Sequence, residues 1–311
     1  MSIAFALVLA MLVDAALGEP RWIWDRVPHP AVMMGRAVDA VERRLNAGDQ
    51  RRLRGVLALL LLVLGAGVFG LVLVWVPGTL VEVIVGAVLL AQKSLVQHVR
   101  AVADALSLSV GDGRRVVAMI VGRDTKAMDG PAVARGAIES AAENLSDGVI
   151  APAFWFLVAG LPGLLIYKIV NTADSMIGHR TPRFEAFGWA AARFDDLLNL
   201  IPARLTALLI WLGGGVSLWH RAVGVAIWRD ARLHRSPNAG WPEAAMAQVL
   251  DVALSGPRSY GGQMRDFAYV HGQGLRDIGA KEIDAAVSML WRTWGIGLGL
   301  VAVVGVVELL L

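Results

Sequence analysis

Long apolar runs alternate along this chain with polar stretches dense in ionisable side chains. Crossing a bilayer core takes about 20 apolar residues in a helix, because only a backbone that satisfies its own hydrogen bonds survives there. Residues 55–76 meet that requirement: 22 residues carry no charge, Arg51, Arg52 and Arg54 precede them, and Val76-Pro77-Gly78 ends them in a turn signal. Residues 79–91 resume the apolar pattern around Glu82 and read as the second arm of a helical hairpin. Residues 149–167 are uncharged, but Gly160-Leu161-Pro162-Gly163 sits in their middle, where a proline ring and two glycines break a continuous helix. A re-entrant pair of half-helices is the prediction there. Residues 205–219, with Gly213-Gly214-Gly215 inside, and residues 293–307 are further spans. The apolar run 2–13 has no basic start and meets Asp14, so it reads as a retained membrane helix and not a cleaved leader. The pattern predicts an all-α, polytopic integral membrane protein with about four to six membrane helices, re-entrant segments among them, and helical cytoplasmic loops forming the site.

Four polar stretches separate these segments, at residues 19–54, 92–148, 171–199 and 220–288. They lack the Ser- and Pro-rich composition of linkers, and the chain shows no internal repeat, so a single membrane-embedded catalytic domain over 1–311 is expected. Composition agrees: 56% of the 311 residues are hydrophobic, 18% are charged and the mean hydropathy is +0.58, too apolar for an ordinary soluble domain. Lys and Arg exceed Asp and Glu by 29 to 26, an excess that suits loops facing anionic lipid headgroups better than a nucleic-acid surface. Membrane lipids are therefore expected partners and nucleic acid is not. The chain has no cysteine, which excludes disulfides, thiolate metal sites and cysteine nucleophiles.

Three polar constellations carry candidate chemistry. The first holds Arg123-Asp124-Thr125, then Glu139 and Glu143, then Asp147. Residues 132–144 read as helix, which puts Glu139 and Glu143 on one face with Asp147 about a turn further on. Like charges so placed repel, and a hard cation such as Mg²⁺ relieves them; spacing alone equally describes a solvated helix face. The second follows the broken apolar segment: Lys168, Asn171, Asp174, Ser175, Arg193, Asp195 and Asp196. Ionisable groups at the edge of an apolar segment are costly unless partnered or functional, although Lys168 also fits a lysine snorkelling to the interface. Adjacent Asp195 and Asp196 point different ways on a helix, so one of them faces a given ligand. Arg193 and Arg204 are bidentate phosphate donors or headgroup contacts. The third runs from His234 to Met246. There Ser236-Pro237-Asn238 reads as a tight loop and Pro242-Glu243 as the first turn of a helix, whose free N–H groups suit an anion. No G-x-x-x-x-G-K-[ST] phosphate loop exists, so use of ATP here would not follow the P-loop design.

These motifs, in this order, resemble those of the CobD/CbiB family. The resemblance rests on Arg123-Asp124-Thr125, Glu139-Ser140 through Glu143-Asn144, 147–152, Tyr167-Lys168 with Asn171-Thr172 and 174–178, Phe187-Gly188-Trp189, Arg193 with Asp195-Asp196, 201–206 and 236–245. It extends to Asp14, Gly18, Pro20, His29-Pro30 and Gly35-Arg36, and departs at Glu19 and at His179-Arg180-Thr181-Pro182. The resemblance implies an adenosylcobinamide-phosphate synthase: an ATP-dependent acid–amine ligase joining aminopropanol phosphate, or ethanolamine phosphate, to the propionate carboxyl of the corrinoid adenosylcobyric acid. It further implies a multi-pass inner-membrane location with the site facing the cytoplasm, and other enzymes of the pathway as partners.

Amide formation from a carboxylate calls for activation, most simply as an acyl phosphate. That transfer needs cationic clamps, Mg²⁺ (or Mn²⁺) and a positioned nucleophile. On that basis Glu139, Glu143 and Asp147 are the expected metal residues. Arg123, Asp124, Thr125, Arg193 and Arg204 are expected at the nucleotide phosphates. Asn171, Ser175, Asn238, Trp241 and Glu243 are expected at substrate, with Asp174, Asp196 and Lys168 as catalytic groups. Two other classes compete. A corrinoid or cation transporter is suggested by Asp14, Glu82 and the broken helix, but predicts paired halves that the chain lacks. A non-catalytic pathway scaffold would need none of the carboxylates.

Overall fold

The computed structural model describes residues 2–215 and 221–310. The chain runs through α1 (Ile3–Leu17), α2 (Arg21–Trp24), α3 (Pro30–Leu45), α4 (Arg51–Val74), α5 (Leu80–Leu89), α6 (Gln92–Leu108), α7 (Val110–Val117) and α8 (Gly130–Leu145). A π-helical turn at Ser146–Ile150 leads to α9 (Ala151–Ile177), followed by α10 (Trp189–Leu198), α11 (Leu200–Gly213), α12 (Arg221–Ala231) and α13 (Gly240–Leu250). Short strands β1 (Leu254–Ser255), β2 (Arg258–Tyr260), β3 (Gln263–Arg265) and β4 (Tyr269–Val270) pair antiparallel as β1–β4 and β2–β3, and α14 (Ala280–Leu310) closes the chain.

Four helical segments are long and apolar enough to cross a membrane: Arg51–Val74, Leu80–Leu108, Gly130–Ile177 and Ala280–Leu310. The pair Trp189–Leu198 and Leu200–Gly213, bent by 45°, makes a fifth if it acts as one span. This is a multi-pass, helical membrane architecture with almost no sheet. The boundaries depart from expectation in places. The apolar arm at 79–91 continues through α6, with Leu90 extended between the helices, so the span holds 29 residues. The N-terminal helix has 15 residues, fewer than a full crossing takes. The run at 205–219 begins earlier, in α11, and residues 216–219 lie outside the described residues.

Contacts divide the chain into two compact units. The first comprises Met1–Ala91, Ala151–Leu200 and Leu300–Leu311. Its core gathers Val38, Ala58, Leu62, Ala151, Tyr167, Val170, Ala173 and Phe187. Here α4 lies antiparallel to the second half of α9, and glycines set the approach: a Cβ on Gly70 would stand 2.6 Å from Pro162 Cα, and one on Gly55 would stand 1.9 Å from the Phe187 carbonyl. The other face of α4 leaves Leu57, Leu61, Leu64, Val68 and Val72 exposed, as a lipid-facing helix requires.

Within α9 the helix fails where the sequence places its break. Ala159 has φ −138° and Gly160 has φ 60°, ψ −153°, a backbone region that is essentially glycine's alone. The chain reverses there. A Cβ on Gly163 would lie 2.5 Å from the Trp155 carbonyl, eight positions back, whereas a continuous helix separates such residues by roughly 12 Å. Consistent with a hairpin, Trp155 Nε1 donates to the Leu198 carbonyl at 3.1 Å, and Ala151 packs in the same core as Val170 and Ala173.

The 178–188 loop, where the sequence departs from the family pattern, is held by Arg183. Its Nε and Nη2 donate to both oxygens of Glu42 at 3.0 and 2.8 Å, and Asn46 Nδ2 adds a bond to the same carboxylate at 2.7 Å. The Arg183 guanidinium holds the Glu42 carboxyl below its ordinary value of 4.5. A lowered folded-state pKa stabilises above the ordinary value and is lost as pH falls through the lowered one. Glu42→Gln at neutral pH, and the wild type once the pH has fallen well below 4.5, are therefore expected to expose residues 179–183. Hydrogen exchange should read a few-fold acceleration confined to that loop and to the end of α3.

The second unit comprises Gln92–Ile150 and Ile201–Gly299. Its core is built around α8, whose Ala134, Ala137, Ala141 and Ala142 let neighbours approach closely, with Val99, Val102, Ile210, Met246, Ile283 and Leu290 packed in. Asp129 caps α8, accepting from Ala132 N at 2.8 Å, and Pro131 lies in the first turn, where its missing N–H costs nothing.

Candidate functional site

In the second unit Glu139 lies on the buried face of α8, only 5% exposed. Its Oε2 takes Arg123 Nη1 at 2.9 Å and Arg258 Nη1 at 3.1 Å, while its Oε1 accepts from Ser255 N at 2.7 Å. The arginine side chains are 6% and 14% exposed, so two guanidiniums and one carboxylate are desolvated together. The 255–256 turn makes this possible. Ser255 at φ 63° and Gly256 at φ 79° both adopt left-handed backbone, which turns the Ser255 N–H onto Glu139, and Ser255 Oγ accepts from Arg258 Nη2 at 2.6 Å.

A cavity of about 240 Å³ opens beside this cluster, lined by Arg123, Glu139, Ser140, Glu143, His234, Glu243 and Arg258 among others. A Cβ on Gly240 would collide with the Ala231 carbonyl, so α13 starts hard against the end of α12. The expected loop and helix start both hold: Ser236 Oγ accepts from Asn238 N and Ala239 N, each at 3.2 Å, and Glu243 lies in the first turn of α13. Glu243 is 3% exposed. Its Oε1 stands 3.6 Å from His234 Nε2, and its Oε2 meets no donor. His234 Nδ1 accepts from Ser236 N at 3.0 Å, so Nε2 carries the proton that faces Glu243. Burial, then Glu139 and Glu143, push the Glu243 carboxyl well above the usual carboxylate range, and burial lowers His234.

Other expected residues of this unit fall into two groups. Arg204 Nη1 donates to Asn238 Oδ1 at 3.3 Å, and its guanidinium stacks 4.7 Å from the Trp241 ring centroid. Asp124, expected at phosphate, instead fastens the β2–β3 hairpin: its Oδ2 accepts from Gly262 N at 2.7 Å and Ser259 Oγ at 2.9 Å. Thr125 starts the turn that precedes α8, its carbonyl accepting from Met128 N at 3.1 Å. Arg123, Asp124, Arg135, Ser255, Arg258 and Ser259 border a second cavity of about 180 Å³, so the arginine pair lines both cavities.

In the first unit the polar residues form a separate constellation. Asp195, not Asp196, is the buried carboxylate. It accepts from Asn171 Nδ2 at 3.3 Å and from Asn199 Nδ2 at 3.0 Å, and Asn199 Oδ1 in turn accepts from Tyr167 Oη at 3.1 Å. Asp196, expected to be catalytic, is half-buried beside the exposed Arg193 at 3.3 Å, so each occupies the other. Asp174 and Lys168 are half-buried on the same helix, and Ser175 is exposed. Gly178 fits against Asp174, since a Cβ would come within 1.9 Å of Asp174 Oδ1.

The expected metal set of Glu139, Glu143 and Asp147 does not fit this geometry. Glu139 spends both oxygens on arginine and backbone donors, Glu143 is exposed on the next turn and Asp147 lies in the π-helical turn. Among the described residues no group of three or more His, Asp or Glu is placed to hold a metal ion. Sequence reasoning also missed Arg258, Asp195 as the buried partner, and His234 as the neighbour of Glu243.

The chain matches the family described as CobD/Cbib protein over residues 7–290. A Sinorhizobium sp. protein named cobalamin biosynthesis protein CobD is 49% identical, covering 98% of this chain and 99% of its own length. A Rhizobium meliloti protein of the same name is 50% identical over 93% of each chain, and one from Rhodobacter capsulatus is 49% identical over 88% of each. No solved structure matches the chain. A family match over residues 7–290, with relatives near half identity along almost the full length, establishes that this chain belongs to the CobD/Cbib family.

Proposed function

We propose that this chain is an ATP-dependent amide ligase of cobalamin biosynthesis, joining aminopropanol phosphate or ethanolamine phosphate to the propionate carboxyl of adenosylcobyric acid. Membership of a family whose relatives are named cobalamin biosynthesis proteins supports the pathway. The observation that carries the reaction is the buried Arg123–Glu139–Arg258 cluster, whose two arginines line two cavities, one of them also lined by Glu243.

The γ-phosphoryl of ATP passes to a carboxylate oxygen of the corrinoid, giving an acyl phosphate and ADP. The neutral amine then attacks the carbonyl carbon, phosphate leaves and the ammonium proton departs to a base. Guanidiniums suit the phosphoryl charge because their planar forks bind oxyanions bidentately. Glu139 fixes both forks in advance, which spares reorganisation when charge develops. Arg204, fixed by Asn238 and Trp241, is a further cation for the phosphates. Mg²⁺ or Mn²⁺ would enter this reading with ATP, where it would neutralise phosphate charge. The proposed setting is the inner membrane with the site toward the cytoplasm, where ATP is, and with other enzymes of the pathway as partners.

Purified protein incubated with ATP, Mg²⁺, adenosylcobyric acid and each amine in turn should yield the amide, read by mass, with one ADP and one phosphate per amide. ATP turnover without amide, or neither under conditions where the protein stays folded, overturns the ligase reading.

A further inference from the structure

We infer that the 240 Å³ cavity beside Glu139 is a subsite for a small zwitterion, with Glu243 receiving the ammonium and Arg123 with Arg258 receiving the oxyanion. The assignment rests on the ligase reading only for the identity of that zwitterion, the amino-alcohol phosphate.

The argument is one of unsatisfied groups. A carboxylate oxygen out of reach of water costs free energy unless a donor meets it. Glu243 is 97% buried, the complement of its 3% exposure, and its Oε2 has no donor. Arg123 and Arg258 line the same cavity, and each leaves its Nε–H buried without an acceptor. Three residues that line one small cavity thus hold an acceptor and two donors without partners, and this asks for a ligand with an ammonium at one end and an oxyanion at the other. A simple anion would leave Glu243 unanswered, and a simple cation would leave the guanidiniums so. Size points the same way, because the cavity is smaller than the roughly 300–1,000 Å³ of pockets for drug-sized ligands. It excludes a whole corrinoid and suits a molecule of a few heavy atoms.

The surroundings discriminate further. Glu139 and Glu143 add negative charge on the Glu243 side, and His234 presents its Nε2 proton to Glu243 Oε1. A bound ammonium thus sits beside Glu243 and Glu143, while Glu139 stays paired with the two guanidiniums. Once its proton has left for the elevated Glu243 carboxyl, the amine is neutral and nucleophilic, as acyl transfer requires.

The test is equilibrium binding to the full-length protein in detergent, with and without EDTA and with neither ATP nor corrinoid added. The probes are ethanolamine phosphate, ethanolamine, ethyl phosphate and glycerophosphoethanolamine, the last standing for a lipid headgroup. Ethanolamine phosphate should bind at least about tenfold tighter than either half-molecule or the diester. In Glu243→Gln that preference over ethyl phosphate should collapse while ethyl phosphate itself binds as before; Glu143→Gln should reduce it in part. Equal binding of ethanolamine phosphate and ethyl phosphate to the wild type overturns the subsite, whatever the variants do. So does tighter binding of the diester, which would make this a lipid-headgroup site, or binding that vanishes in EDTA, which would make Glu243 a cation ligand. If the preference is found but no amide forms in the ligase assay, the ligase reading fails and the subsite stands. If amide forms without the preference, the subsite alone fails.

Discussion

Glu139→Gln is expected to unfold at a markedly lower temperature and to lose the proposed ligase activity with it, whereas Glu143→Gln, one helical turn away, is expected to keep the wild-type melting point. Removing the Glu139 charge strands Arg123 and Arg258, both buried, without their counterion. Breaking a buried pair by removing one partner costs about 3–5 kcal/mol, because the surviving charge stays desolvated. For a chain of this size each kcal/mol shifts the midpoint by about 2–4 °C, so the loss is on the order of 10 °C. Glu143 is exposed, and surface substitutions of that kind usually stay within about 0.5 kcal/mol. Thermal unfolding in one detergent decides the matter. A double-mutant cycle adds a second reading: Arg258→Met in the Glu139→Gln background should restore part of the lost stability, since residues in one network are non-additive. Equal shifts in Glu139→Gln and Glu143→Gln, or strict additivity in the cycle, would remove Glu139 from the centre of this unit.

That contrast shows what the sequence displays and what it conceals. The i, i+4 spacing places Glu139 and Glu143 on one side of α8, and α8 spans Gly130–Leu145 much as the pattern predicts. Spacing cannot say that Glu139 lies deeper, because its burial comes from Ser255 and Arg258, 116 and 119 residues away. No local signal connects them. Asp195 is different, for its burial is legible. Ala191, Asp195 and Leu198 recur at helical spacing and all three are buried, while Asp196 falls beside that stripe. The stripe marks Asp195 as the buried aspartate of the pair. The role of Asp124 had a weaker signal in Gly261-Gly262, a turn able to direct an N–H at a carboxylate, but the choice of carboxylate is tertiary. The break in α9 was fully legible, because glycine and proline act on the backbone itself whatever surrounds them.

A cysteine at position 175 is expected to react with an impermeant maleimide only from the cytoplasmic side, and one at position 75 only from the opposite side. The first unit carries the argument. α4 has 24 residues, about 36 Å at 1.5 Å per residue, enough to cross the bilayer. Arg43, Arg44, Arg51, Arg52 and Arg54 cluster at or before its start, and cationic loops stay on the cytoplasmic side. Trp75 follows its other end and is 87% exposed. The second half of α9 returns along α4, from Pro162 beside Gly70 to the 178–188 loop, where Phe187 meets Gly55 and the Arg52 guanidinium sits 3.8 Å from the Trp189 ring. Ser175, exposed near that end, therefore shares the side of the arginines. The Gly160 reversal brings Ala151 back toward the same end, so the segment before it need not begin on the opposite side. Because the chain has no cysteine of its own, Ser175→Cys and Trp75→Cys each carry a single reactive site. In sealed right-side-out vesicles Trp75→Cys should label at once and Ser175→Cys only after permeabilisation. Ser140, buried and donating to the Ile120 carbonyl, is a poor position for such a probe. Labelling of both variants from outside would contradict the antiparallel path of α9 along α4. Labelling of Ser175→Cys alone would invert the unit and place Asp174 and Asp195 away from the cytoplasmic face on which the proposed use of ATP depends.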